Sequence, residues 1–370
     1  MSDFGTSAIS PVVAGLARTA SLPLPAPLRL GSARIDAREY VGIRLEDEDG
    51  RAGCAYALTR GAPLAEIVER MLLPEVLGEN VGTVAEAWDR MFHSTALVGR
   101  VGLVRKAIGL VEIALWDLAG KRAERPVWQL LGNDGAPRRA IVVACYPSPG
   151  RPVRDLVREV LDAAAEGWPL LKISRSPDAR QMRELLSALD AELGGSSRVI
   201  VDVGFGWRDA DAALRDLDAW RVPELAWLED PFLPEDVDAS ATLRRRSGQR
   251  IGVGDEVTDP ELLARLGEGG AVDVVRLDVV ALGGFSPAAS AMRHAHAAGL
   301  ATSTHVYPEI SVHLGTMVET FRRSIRPNPY DPSASLITDG PDFTAGEVTP
   351  TLQPGLGFGL DWSLFAGAGT

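Results

Sequence analysis

Six ionisable residues recur at a regular spacing, each where an apolar run ends. Lys172 closes Pro169-Leu-Leu-Lys172, Asp202 closes Arg198-Val-Ile-Val-Asp202, and Glu229 closes Leu225-Ala-Trp-Leu-Glu229. Asp255 follows Ile251-Gly-Val-Gly254, Asp278 closes Val274-Val-Arg-Leu-Asp278, and His305 follows Thr302-Ser-Thr304. The intervals are 30, 27, 26, 23 and 27 residues, the length of one strand, one helix and two loops. In an eight-stranded parallel barrel, residues at such strand ends face one mouth. Asp202, Glu229 and Asp255 then form a set of hard oxygen ligands. With no Cys or His among them they favour Mg2+, with Mn2+ as the alternative, over Zn2+. Glu256 could share that site with Asp255, but strand alternation turns neighbours to different sides, so one direct ligand is expected.

The remaining residues of the set could move protons. Lys172, beside a bound cation and partly desolvated, would have a lowered pKa and could act as a general base. Asp278 beside His305 would fix the imidazole tautomer and raise its basicity. Glu319, in Met317-Val-Glu-Thr-Phe321, could protonate or hydrogen-bond a substrate oxygen, or equally pair with Arg322 or Arg323. His93, His294, His296 and His313 fall on other stretches and carry no such pattern.

These residues need a scaffold. Candidate strands lie at 140–146, 169–173, 198–203, 225–229, 250–254, 273–278, 301–305 and 317–321. Most are separated by amphipathic or Ala/Leu-rich helices, at 153–166, 178–193, 209–220, 259–267 and 286–298. The strands are rich in Val, Ile and Leu, as strands buried on both faces are, and the alternation favours a parallel barrel. The first third reads differently. Val41-Gly-Ile-Arg-Leu45 and Gly53-Cys-Ala-Tyr-Ala57 flank Asp47-Glu-Asp-Gly50 like a hairpin. Helical periodicity follows at 64–73, 84–93 and 103–120, clearest in the last. We therefore expect an α+β domain over 1–133 and a barrel over 134–329. The Pro- and Gly-rich tail, 330–370, is expected to pack back on the first domain.

Bulk properties narrow the function. The chain has 370 residues and a net charge of −12, which disfavours nucleic-acid binding. No stretch is long and apolar enough to span a bilayer. No basic region precedes the mildly apolar start, so no signal peptide is expected. Cys54 and Cys145, its two cysteines, have no metal-ligand spacing and fit free thiols in a reducing compartment. The expectation is a cytoplasmic enzyme.

The motifs together resemble the enolase superfamily and, within it, the mandelate racemase subgroup. The resemblance covers nearly the whole chain. It is carried by Ala107–Lys121 with Pro126-Val-Trp-Gln-Leu-Leu-Gly132, by Lys172-Ile-Ser-Arg-Ser176, and by Val201-Asp202, Trp227-Leu-Glu-Asp-Pro231 and Gly254-Asp-Glu256. Asp278-Val-Val-Ala-Leu-Gly-Gly284, His305-Val-Tyr-Pro-Glu-Ile-Ser311 and Pro354-Gly-Leu-Gly357 complete it. It implies an α+β capping domain on a modified TIM barrel, (β/α)7β, with one Mg2+. It also implies proton transfer or β-elimination on a small-molecule carboxylate, and a homo-oligomer, dimer to octamer. Capping loops near 18–36 and 56–62 would close over the mouth, where Arg29, Arg34 or Arg60 could meet a distal carboxylate.

Two positions depart from the pattern. Leu170 stands where relatives often have the first lysine of Lys-x-Lys, with Arg175 a candidate to replace the lost charge. Gly204 stands where many carry Asn or His, which disfavours a dehydratase using a histidine there. Ala281 stands near the sixth-strand lysine of the muconate-lactonising and dipeptide-epimerase subgroups and argues against both. Dehydration of an acid sugar is the first expectation. Racemisation or epimerisation of a 2-hydroxy acid uses the same residues. A Schiff-base aldolase on Lys172 and a non-catalytic binding relative are the other readings.

Overall fold

In the computed structural model, residues 7–30, 33–78, 82–148, 150–195, 197–322, 328–344 and 346–365 are described. A capping sheet comes first: β1 (Val12–Leu30), β2 (Ala33–Asp47) and β3 (Ala52–Leu58) pair antiparallel in that order. The expected short hairpin is the β2–β3 end of this sheet. The stretch expected as a loop over 18–36 instead belongs largely to the long β1–β2 hairpin. Pro23, Pro25 and Pro27 hid it, because proline lacks the ladder donor. β1 is an edge strand, and its register shifts between Pro23 and Leu28.

Helical residues 64–76 and α1 (Val84–Ser94) follow. Thr83 starts α1 with a reciprocal capping box to Glu86. Then α2 (Leu103–Arg122) runs through the interior, buried at every position from Ala107 to Gly120. Such an all-round apolar helix must be covered on all sides. The capping sheet covers one side and the barrel the other. Gly109 permits that second contact, since a Cβ there would stand 2.2 Å from Val280 O.

Glu112 is a polar exception in α2. Its carboxylate accepts from Trp116 Nε1 and from the backbone N–H groups of Phe285 and Ser286, at 2.9, 2.8 and 2.9 Å. It thereby ties the capping domain to the barrel. Burial pushes its carboxyl up to about 7 against the pull of those donors. The unfolded chain loses this proton near its ordinary 4.5, while the folded chain holds it to about 7. Stability from this group should thus fall as pH rises through that window, by about 3 kcal/mol. Thermal melts at pH 5 and pH 8 check this: Glu112→Gln should lose less stability than the parent between them.

The barrel strands are β4 (Arg138–Cys145), β5 (Leu170–Ser174), β6 (Arg198–Asp202), β7 (Trp227–Glu229), β8 (Ile251–Val253), β9 (Val274–Leu277), β10 (Ala301–Thr304) and β11 (Val318–Thr320). All pair parallel with their neighbours from β4 to β10. β11 closes the ring, pairing with β4 and bridging β10 through Ser303 and Met317. Helices α3 (Val153–Ala165), α4 (Ala179–Leu193), α5 (Ala210–Trp220), α6 (Val237–Ser247), α7 (Pro260–Glu268) and α8 (Phe285–Ala297) separate consecutive strands from β4 to β10. Asp178, Asp209 and Asp259 cap α4, α5 and α7 with their carboxylates. Between β10 and β11 only short turns, Pro308–Ser311 and Val312–Leu314, intervene. That is the expected modified TIM barrel.

The tail touches both units. Leu356 N donates to Asp117 Oδ1 of α2 at 2.8 Å, and Glu347–Thr349 adds an antiparallel strand to β4. No helix among the described residues is long and apolar enough to cross a membrane.

Candidate active site

Strand parity builds the site. An apolar floor inside the barrel contains Ile141, Leu170, Ile200, Trp227 and Val274, with Ala301 and Met317 packed against it. Two residues further along six strands, on the same face, the side chains turn polar. Leu170 leads to Lys172, Ile200 to Asp202, Trp227 to Glu229, Val274 to Arg276, Ala301 to Ser303 and Met317 to Glu319. One layer higher stand Asp278 and His305. Above them a cavity of about 1130 Å³ opens, lined also by capping residues such as Leu28, Arg38 and Arg60.

The structure brings together all seven residues singled out by sequence. Lys172 is 3% exposed. Its Nζ donates to Glu319 Oε2 at 2.8 Å and lies 3.2 Å from Asp202 Oδ2, 3.5 Å from Asp255 Oδ2, and against Glu229 Oε1. Asp202, Glu229 and Asp255 each offer an oxygen within 4.8 Å of the others. His305 Nδ1 is 2.9 Å from Asp278 Oδ2, and its Nε2 is 3.4 Å from Asp255 Oδ2. Asp278 Oδ1 accepts from Ala281 N at 2.9 Å, which fixes the carboxylate that orients the imidazole. Lys172 and His305 thus approach one atom, Asp255 Oδ2, from different strands. Glu319 belongs to the buried cluster rather than to a surface pair; Arg322 pairs with Glu309 instead. Arg323 lies outside the described residues.

Electrostatics say what the site lacks. Among the described residues, Lys172 and Arg276 face five carboxyls: Asp202, Glu229, Asp230, Asp255 and Glu319. Burial and neighbouring carboxylates hold Asp230 well above the ordinary range and lift Glu229 to about 7. Asp255 goes the other way: burial opposes its ionisation, but Arg276, His305 and Lys172 outweigh it and depress its pKa. Glu229 Oε1 is buried and accepts no well-formed hydrogen bond. The Lys172 ammonium marks where the three carboxylates converge on positive charge. The donor set and the surplus of carboxylate both fit a divalent cation held by Asp202, Glu229 and Asp255. Burial would lower the Lys172 pKa, but four carboxylate charges outweigh it and hold the ammonium well above its ordinary range. The lowering expected from sequence requires a cation to take over those charges.

Other expectations are corrected. Arg175 does not replace the charge missing at Leu170: it is tied to Asp216 at 2.7 Å beside Trp207. The buried cation added to the site is Arg276, which sequence reading passed over. Its signal was present, since it lies two residues before Asp278 on the same face of β9. Glu256 turns away from the three-carboxylate set, as alternation suggested, and is held by Arg60 and Lys106 of the capping domain. It lies instead beside Asp278 and His305. Arg34 and Arg60 line the cavity but are already paired, with Asp36 and Glu256. The side chain of Arg29 lies outside the described residues. Arg38 was missed. It is 6% exposed, stacks over Phe321 and makes no ion pair among the described residues.

Both parts of the chain match known protein families. Residues 15–132 match the mandelate racemase/muconate lactonizing enzyme N-terminal domain, and residues 155–364 match the enolase C-terminal domain-like family. The chain is 30% identical over 306 residues to a 3,6-anhydro-alpha-L-galactonate cycloisomerase of Streptomyces coelicolor, covering 80% of this chain and 83% of that protein. It is 34% identical over 269 residues to an L-rhamnonate dehydratase of Saccharopolyspora erythraea, covering 69% and 65%. An enolase from Bradyrhizobium, crystallised with magnesium and mandelic acid, superposes with a TM-score of 0.84 at 26% identity, covering 96% of this chain and 97% of that one.

Proposed function

The chain belongs to the mandelate racemase/muconate lactonizing enzyme family of the enolase superfamily, and on that premise we propose that it is a Mg2+-dependent dehydratase of an acid sugar. One observation carries the reading: Lys172 and His305, on different strands, flank the carboxylate cluster and meet at Asp255 Oδ2. Asp202, Glu229 and Asp255 would hold the Mg2+, which would supply positive charge to offset the charge a substrate carboxylate gains when its α-proton is removed. This chain's residues do the rest. One of Lys172 and His305 takes the α-proton. The other gives a proton to the departing β-hydroxyl, which leaves as water, and the enol collapses to the 2-keto acid. Asp278 holds the His305 tautomer, and Glu319 positions the Lys172 ammonium through its 2.8 Å contact.

If the leaving group is absent, the same two residues can remove a proton from one face and return it to the other. That makes racemisation or epimerisation the second reading. A panel of acid sugars incubated with Mg2+ in D2O separates them. The first reading expects 2-keto product from at least one member. Deuterium at Cα with no loss of water from any member would replace it with the second.

Arg38 supports a substrate with an anionic or strongly polar distal end. Of the guanidiniums named above at the cavity wall, Arg34, Arg60 and Arg175 are engaged by carboxylates, and Arg38 has none among the described residues. A charge-assisted hydrogen bond contributes about 1.5–3 kcal/mol. Arg38→Met should therefore lower kcat/KM by about 10- to 100-fold, mostly through KM, and steady-state kinetics on the identified substrate will show it. We also propose a homo-oligomer, dimer to octamer. The exposed apolar residues Leu97, Val98, Val101 and Leu103 support assembly, and light scattering measures it.

A further inference from the structure

Arg276 is fully buried inside the barrel, at the level of the proposed metal ligands. Its guanidinium engages them from behind. Nε donates to Asp255 Oδ1 at 2.7 Å and lies 3.1 Å from Glu229 Oε2. Nη1 donates to Ser303 Oγ at 3.0 Å, and Nη2 to Glu319 Oε2. Trp227 Nε1 is the hydrogen-bond donor to Glu229 Oε2, at 3.0 Å, since the single Nε hydrogen of Arg276 is directed at Asp255. The rear oxygens of Asp255 and Glu229 are therefore occupied. Their other oxygens, Oδ2 and Oε1, are the ones that face the Lys172 ammonium.

The backbone is shaped for this contact. Gly254 has φ +148°, and a Cβ there would stand 2.0 Å from Arg276 O. Only glycine lets the end of β8 turn so closely over β9. The turn breaks the two-residue parity of β8 and swings Asp255 across the guanidinium.

We propose that Arg276 is a positioning residue for metal choice: by donating to the rear oxygen of Asp255 and setting its charge 3.1 Å from the Trp227-bound rear oxygen of Glu229, it limits each carboxylate to one oxygen for the metal and selects Mg2+ over Ca2+. The inference rests on Asp202, Glu229 and Asp255 being the ligands. Mg2+ takes six ligands at about 2.0–2.1 Å and keeps several waters, whereas Ca2+ takes six to eight at about 2.3–2.6 Å and readily uses both oxygens of a carboxylate. One-oxygen carboxylates suit the smaller ion. Freeing Asp255 Oδ1 and loosening Glu229 Oε2 would give Ca2+ the extra ligands it accepts.

The test is binding calorimetry on chelator-stripped protein with MgCl2 and with CaCl2. The parent protein should prefer Mg2+ by at least about tenfold. Arg276→Met, of similar length but without donors, should shift the Ca2+/Mg2+ affinity ratio toward Ca2+ by at least about tenfold. Arg276→Lys keeps the buried charge but loses the planar guanidinium that reaches Asp255, Ser303 and Glu319 at once, and it should shift the ratio at least threefold. It serves if the methionine variant does not fold. An unchanged ratio in a folded variant overturns the proposal, and so does a parent that binds Ca2+ as tightly as Mg2+. A parent that binds neither ion sinks the ligand assignment instead, and the two failures are distinct.

Discussion

Lys172→Met will lower turnover by roughly 10⁴-fold while Mg2+ binds at least as tightly as in the parent. The first half follows from the role of a positioned acid/base. The second follows from geometry. The Lys172 ammonium lies against the oxygens of Asp202, Glu229 and Asp255 on which the cation would bind, so it competes with the metal for them. Methionine fills the buried volume and removes that competing charge. A structural role alone would make the opposite forecast, with weakened metal binding and lowered stability together. Calorimetry with Mg2+ and single-turnover kinetics on the same preparation decide the matter. Weaker Mg2+ binding, or activity within tenfold of the parent, would count against Lys172 as the base.

Glu229→Gln should do the reverse, losing metal and activity together. Its side chain is fully buried, with Oε1 facing the cation position and Oε2 held by Trp227. The substitution removes one of three converging charges and can turn an amide N–H toward the metal. Loss of an outer-shell partner alone typically costs 10- to 100-fold in metal affinity, so loss of a ligand should exceed about 100-fold. Glu256→Gln is the matched control. That residue adjoins Asp255 in sequence, but its oxygens are taken by Arg60 and Lys106, and Mg2+ affinity should change less than threefold. Equal losses in both variants would mean the ligand set is wrongly drawn. Treatment with chelator followed by Mg2+ should abolish and then restore activity in the parent.

The site was legible in sequence because barrel strands are short, evenly spaced and apolar up to the reactive residue. An interval near 27 residues at the ends of apolar runs gathered Lys172, Asp202, Glu229, Asp255, Asp278 and His305, and the last apolar run, Met317–Phe321, added Glu319. What escaped had physical causes. Arg276 stands inside an apolar strand, where an arginine looks like an anomaly unless its partners on β7, β8 and β11 are known. Arg38 lies in a strand of another domain, and only tertiary contact with Phe321 brings it to the mouth. The β1–β2 hairpin was obscured by three prolines, which an edge strand tolerates because no neighbour asks for their donors. Helix α2 was clear from its periodicity, but its contact with the barrel through Gly109 depends on a loop far along the chain.

The two-residue step from apolar floor to polar ring has a bearing on how this catalyst could be altered. Each ring side chain is set by one codon and its aim by the strand beneath, while its charge is shared with its ring neighbours. Exchanging Leu170 in the floor would add a functional group beneath Lys172, whereas exchanging Ser303 would release the Arg276 Nη1 that donates to it. Shifting a strand by a single residue would instead turn its reactive group outward to the helices. Directed evolution of new activities on this scaffold should therefore favour substitutions at ring and rim, and tolerate insertions only in the connections between strands.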